Sequence, residues 1–272
     1  DSGAMQDMFL QIKATYGVKL TTVSVPNHPQ SDAEIVELYE SQITPKTKMI
    51  MLCHMINITG QILPVKKICE MAHRNGVEVL VDGAHCIGHF EFKISELDCD
   101  YYGSSLHKWL ATPLGAGLLY VKSDHISKIW PLLADNEKNL TNIKRLSHTG
   151  THPVATDLAI SNAIDYLQWI GMKRKEERMR FLKNYWYEAL RDVPNIIINT
   201  PIAADRSCGI GNIGIQTLSP HLLAERLFKE FKIFTVAIDY ANVKGCRITP
   251  NIFTSTKELD EFVNAMKSLA KA

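Results

Sequence analysis

Apolar and polar positions along the first third of the chain follow two alternating rhythms. Gln6–Thr15 carries Met8, Phe9, Ile12 and Ala14 at helical spacing, and Lys19–Val25 alternates as a strand does. Ser31 is placed to cap a helix over Asp32–Gln42, and Met49–Cys53 is a short apolar strand. Pro64 opens a helix that runs through Ala72 and ends at Asn75–Gly76, before a buried strand at Val77–Val81. This alternation predicts an α/β fold, with a mostly parallel sheet covered by helices.

Beyond Tyr101 the rhythm changes. Strands are expected near Tyr101–Gly103 and over Gly115–Val121, followed by a polar, loop-like stretch at Leu133–His148. Ala155–Tyr166 has helical spacing, and Met172–Arg191 reads as a charged amphipathic helix that could continue it. After Pro194 come short strands at Ile196–Asn199, Gly211–Gln216 and Lys232–Ile238. Helices at Ser219–Phe231 and Lys257–Ala270 flank them. The expected organisation is a large domain over residues 1–170 and a smaller C-terminal α+β domain over 171–272.

Composition narrows the function. The chain has 272 residues, 46% of them apolar, enough for a packed core. With 30 basic and 29 acidic side chains, the net charge of +1 gives no reason to expect nucleic acid as a partner. No apolar run is long enough to span a bilayer, and the first residues do not read as a signal peptide. The six cysteines form no C-x-x-C pair, which argues against a zinc ribbon and for buried thiols in a reducing, cytoplasmic setting.

Three polar clusters sit at predicted strand ends, where open α/β sheets bind ligands. In Val79–His85 (VLVDGAH), Asp82 closes an apolar strand. It reads as a helix cap, a magnesium ligand or the partner of a protonated ring nitrogen. In Gly103–Trp109 (GSSLHKW), Ser105 and His107 are donors suited to a phosphate, and Lys108 is a potential nucleophile toward an aldehyde. In Lys244–Ile248, Arg247 has the fork geometry that suits a carboxylate. The first two clusters together supply what pyridoxal 5'-phosphate requires of a protein: a lysine, an acid for the pyridine nitrogen, and phosphate donors.

The run VDGAHCIGHFEFKISELDCDYYGSSLHKWLATPLGAGLLYV resembles the core of class V, fold-type I pyridoxal-phosphate enzymes. These include isopenicillin-N-epimerase-like proteins, cysteine desulfurases and aminotransferases. The resemblance implies that Lys108 is the Schiff-base lysine and later the α-proton shuttle, and that Asp82 pairs with the pyridinium nitrogen. His85 and Asn57 would then face the phenolic oxygen, with Ser105 and His107 on the phosphate. Thr151, in the His148–Thr151 run, would reach a phosphate in the neighbouring subunit of a homodimer. Arg247, aided by Asn57, would hold the carboxylate of an amino-acid substrate. No metal is implied.

Family members begin upstream of Asp1, so the reading expects the N-terminal part of the family fold to lie outside this chain. The stretch Ala237–Gly245 lacks the loop cysteine of the desulfurases. The reaction expected is therefore epimerase-like or aminotransferase-like chemistry at Cα, with a β-lyase as the alternative. Two other classes remain open: a non-catalytic binding protein that kept the fold, and a Mg²⁺-dependent hydrolase built on Asp82 and Asp98–Asp100.

Overall fold

A computed structural model describes residues 3–147 and 150–271. The chain forms two compact units. One comprises residues 43–54 and 65–171; the other comprises 1–42, 55–64 and 172–272. The stretch 1–42 is thus grouped with the C-terminal residues, whereas the sequence reading put it with the large domain.

The first of these units is built on a four-stranded sheet: β1 (Met49–Cys53), β2 (Glu78–Asp82), β3 (Tyr101–Ser105) and β4 (Gly117–Val121), in that spatial order. β1, β2 and β3 are parallel, with Cys53 opposite Asp82 and Asp82 opposite Gly103; β4 returns antiparallel. Helix α3 (Val65–Arg74) buries Val65, Ile68, Cys69, Met71 and Ala72 on one stripe and packs on β2. A short helix α4 (Ile94–Leu97) ends at Asp98, whose φ of 55° turns the chain back toward β3. Helix α5 (Val154–Ile170) presents Ile160, Ala163 and Leu167 to Leu106, Leu110 and Ala116.

The other unit holds α1 (Gly3–Tyr16), α2 (Asp32–Glu40), α6 (Met172–Leu190), β5 (Ile196–Ile198), β6 (Gly211–Ile215), α7 (Pro220–Phe231), β7 (Val236–Tyr240), β8 (Val243–Ile248) and α8 (Thr256–Leu269). Its antiparallel sheet runs β5-β6-β8-β7. Leu182, Trp186 and Leu190 of α6 meet Phe262, Met266 and Leu269 of α8, with Ile213 and Cys246 from the sheet, in one apolar core. Ser31, Ser219 and Ser255 cap α2, α7 and α8, and Glu258 completes a capping box.

The mostly parallel sheet and the C-terminal α+β region follow the sequence reading; several local expectations do not. Lys19–Val25 is not a strand. It is largely exposed, and its neighbourhood is tied by side-chain bonds instead: Ser24 Oγ donates to Asn242 Oδ1 (3.1 Å), and Asn242 Nδ2 donates to the Val25 carbonyl (3.1 Å). The strand expected over Lys232–Ile238 begins only at Val236. Lys232 adopts φ 60° and closes α7 with its N–H on the Phe228 carbonyl. α5 and α6 are separate helices, broken at Gly171 with φ 88°. The polar stretch from Leu133 contains a 3₁₀ turn at Ile143–Leu146. Buried Arg145 anchors it by donating to the Ile126 (3.1 Å) and Ile129 (2.7 Å) carbonyls. His148, the end of that stretch, and Thr149 lie outside the described residues.

Candidate active site

Open parallel sheets bind ligands in the crevice beyond the carboxyl ends of their strands, so the carboxyl ends of β2 and β3 set the candidate site. Asp82 is the last residue of β2 and is half-buried; its carboxylate accepts from the Ala84 N–H at 2.9 Å. Gly83 follows without a side chain because the Tyr102 ring fills the space a Cβ would need. Its N–H donates to the Gly103 carbonyl at 2.7 Å and its carbonyl accepts from Ser104 Oγ at 2.8 Å, which staples the two strand ends together. Burial leaves His54, against the Tyr102 hydroxyl (3.0 Å), titrating only at about 4, so it stays neutral.

Beyond Gly83 the chain turns through residues 84–89 and carries His85. Beyond Ser105 it bends through residues 106–110 and carries His107 and Lys108. The two bends touch. Lys108 Nζ lies 3.2 Å from His85 Nε2, and the Trp109 indole N–H donates to His85 Nδ1 at 3.1 Å. The approach requires Gly88: it holds φ 76°, and a Cβ there would stand 2.8 Å from the Leu110 backbone. His89, fully buried, stacks on Trp109 with ring centroids 3.9 Å apart, and its Nδ1 meets the His85 carbonyl at 2.8 Å.

Among the predicted residues, this unit brings together Asp82, His85, Ser105, His107 and Lys108. Thr151 also belongs to it and stands exposed ahead of α5. Asn57 and Arg247 belong to the other unit, where the Asn57 carbonyl accepts from Arg247 Nη1 at 3.3 Å. Asn57 sits in a turn closed by the Ile56 N–H on the Gln61 carbonyl, and Arg247 lies on β8, where burial lowers its pKa. Trp109 and His89 had no role in the sequence reading. The only hint was the spacing of His85 and His89, about one helical turn apart.

A buried polar atom without a partner costs about 1–3 kcal/mol, so such atoms point to an interaction still to be made. Three of them fall on predicted residues: His107 Nδ1, Asn57 Oδ1 and Arg247 Nε. His107 lies in the same unit as Asp82, Ser105 and Lys108, and a phosphate donor, an acid and a lysine are what pyridoxal phosphate requires of a protein. The residues present therefore fit the group.

At the opposite, amino end of β2 and β3 the polar groups are closed on one another. Buried Asp100 accepts from the Val79 N–H at 2.7 Å and faces His73 Nε2 (3.0 Å) and His125 Nε2 (3.3 Å). Asp98 pairs with Lys122 at 2.9 Å. Glu78 accepts from the Tyr101 hydroxyl at 2.8 Å and Lys128 at 3.2 Å. These carboxylates are engaged at the far end from Asp82, and no cluster of three metal-ligating side chains occurs among the described residues.

The family model for aminotransferase class-V matches residues 6–237. The chain belongs to that family. Pyridoxal 5'-phosphate is the cofactor of class-V enzymes. This class-V chain is 27% identical over 279 residues to isopenicillin N epimerase of Streptomyces clavuligerus, covering 95% of the chain and 69% of the relative. It is 31% identical over 224 residues to a probable cysteine desulfurase of Halalkalibacterium halodurans, covering 79% and 53%. The fold is that of the Escherichia coli cysteine desulfurase CsdA: TM-score 0.83 at 22% identity, over the whole of this chain and 70% of that one. It is accordingly fold type I. No helix among the described residues is long and apolar enough to cross a membrane.

Proposed function

We propose that this class-V enzyme acts at Cα of an amino-acid substrate, with Lys108 as the covalent anchor of the cofactor. The observation that carries the reading is Lys108 Nζ held 3.2 Å from His85 Nε2, at the carboxyl end of the sheet where β2 ends in Asp82. When bound, pyridoxal phosphate stabilises the charge left on Cα by loss of its proton. Asp82 keeps the ring nitrogen protonated. Ser105 and His107 hold the phosphate, His107 through the Nδ1 that has no partner in the chain. His85, and Asn57 as the family resemblance implies, would hold the phenolic oxygen. Arg247 would take the substrate carboxylate through its partly buried guanidinium, and the Lys108 amine would remove and return the α-proton. Thr151 contributes to a phosphate site of the neighbouring subunit in a homodimer, and a cytoplasmic location completes the reading.

Among the family's reactions, epimerisation or transamination is favoured over persulfide formation. A desulfurase-type reaction needs an accessible thiolate. All six cysteines here are buried; burial pushes Cys53 and Cys208 up to about 12 and Cys99 to about 11, and raises Cys246. The stretch before Arg247 is the tight β7–β8 hairpin, with Tyr240 opposite Val243 and only Ala241 and Asn242 between them, not a mobile loop.

The test is reductive trapping. Borohydride treatment of the protein incubated with pyridoxal phosphate attaches the cofactor to the peptide containing Lys108, and Lys108→Ala abolishes the label. Equal labelling of the variant would overturn the assignment. Incubation with a panel of L- and D-amino acids in deuterated water then reads the branch: Cα deuteration with inversion for an epimerase, keto-acid release for an aminotransferase.

A further inference from the structure

We infer that Trp109 fixes the tautomer of His85, and so decides which way the hydrogen bond at the cofactor's oxygen and at Lys108 points. The inference rests on the reading of His85 and Lys108 given above. An indole N–H only donates. At 3.1 Å from His85 Nδ1 it makes that nitrogen an acceptor, so the neutral ring carries its proton on Nε2. Nε2–H then requires an acceptor opposite it. The amine of Lys108, at 3.2 Å, is one once it has lost its proton, and a phenolic oxygen of the cofactor in its ionised form is another.

The indole is itself held in place from behind. His89 stacks on it at 3.9 Å with an interplanar angle of 24°. A carbonyl only accepts, so His89 Nδ1 donates to the His85 carbonyl at 2.8 Å, and the stacked ring is tied to the same turn that carries His85. Trp109 and His89 are both buried, at 7% and 0% exposure, so bulk water does not compete for Nδ1. Gly88 permits the backbone approach that the arrangement needs. Trp109 is thus a positioning residue. It acts through its hydrogen bond to His85.

The experiment is long-range ¹H–¹⁵N correlation NMR on ring-labelled histidine in the cofactor-free protein, with His85→Gln identifying the His85 signals. Wild type shows Nδ1 unprotonated and Nε2 protonated. Trp109→Phe keeps a ring for His89 to stack on but removes the donor; it relaxes a bias of about tenfold, the worth of one neutral hydrogen bond, toward a mixture of tautomers. If Trp109→Phe does not fold, benzothienylalanine at position 109 keeps the indole shape without the N–H and serves the same comparison. A protonated Nδ1 in wild type, or an unchanged tautomer in the folded variant, would overturn the inference. Trapping of the cofactor on Lys108 is measured in parallel. Failed trapping with an intact tautomer shift sinks the proposed function and leaves the role of Trp109 standing.

Discussion

The two ends of β2 and β3 use similar side chains to opposite effect. At the amino end, carboxylates, imidazoles and lysines pair with one another, and Asp100 at 2% exposure has a partner on each oxygen. At the carboxyl end, Asp82 and Lys108 remain reachable, and His107 keeps a buried nitrogen without a partner. A closed polar network costs little and rigidifies. An incompletely matched one is tolerated where a ligand completes it. The degree of satisfaction, more than the residue types, separates the closed end from the one proposed for chemistry.

The sharpest way to break this comparison is to remove one carboxylate from each end. Asp82→Asn is expected to lower turnover about 100-fold or more, equivalent to about 2.7 kcal/mol or more of transition-state stabilisation, with little change in the urea midpoint. Asp100→Ala is expected to cost about 3 kcal/mol of stability, because the Val79 N–H and two imidazoles lose their acceptor, and to leave turnover per folded molecule unchanged. A fall in turnover for Asp100→Ala matching that of Asp82→Asn would erase the distinction. His107→Ala sharpens it: the cofactor dissociation constant, followed by absorbance titration, rises about tenfold while the cofactor-free unfolding midpoint stays put, since Nδ1 bonds nothing in the chain.

The smallest effect is pH-dependent. Burial raises the pKa of Glu78, but the hydrogen bonds from Tyr101 and Lys128 outweigh it and leave the group below the ordinary value. A depressed carboxylate pKa stabilises the fold at pH above the unfolded value of about 4.3, and that stability is lost as pH falls through the folded pKa. Glu78→Gln is therefore expected to cost about 0.5 kcal/mol at pH 7, discounted because the side chain is one-third exposed. The difference from wild type closes below pH 4 in urea melts.

Much of this was legible in the sequence because strand-end residues follow apolar runs. Asp82 and Ser105 sit at the ends that the Val79–Val81 and Tyr101–Gly103 patterns marked, and Lys108 follows in the next bend. The bond between Trp109 and His85 was not legible: it joins two bends across a parallel strand pair and depends on the positive φ of Gly88, which no periodicity records. The amino-end network was hidden for a related reason. Asp98–Asp100 read as a metal-like acidic pair, and only the fold brings His73, Lys122 and His125 to them. Lys19–Val25 misled because alternation alone supplies no neighbouring strand to pair with.

The six buried thiols bear on how the molecule can be handled in the laboratory. With all six cysteines of this chain inside, its surface is silent toward maleimides and iodoacetamides. A single cysteine placed at Leu114, which is 80% exposed in the connection between Lys108 and β4, becomes a unique attachment point for a fluorophore or spin label. Movements of the lysine-bearing segment can then be followed without first stripping the protein of its own sulfur.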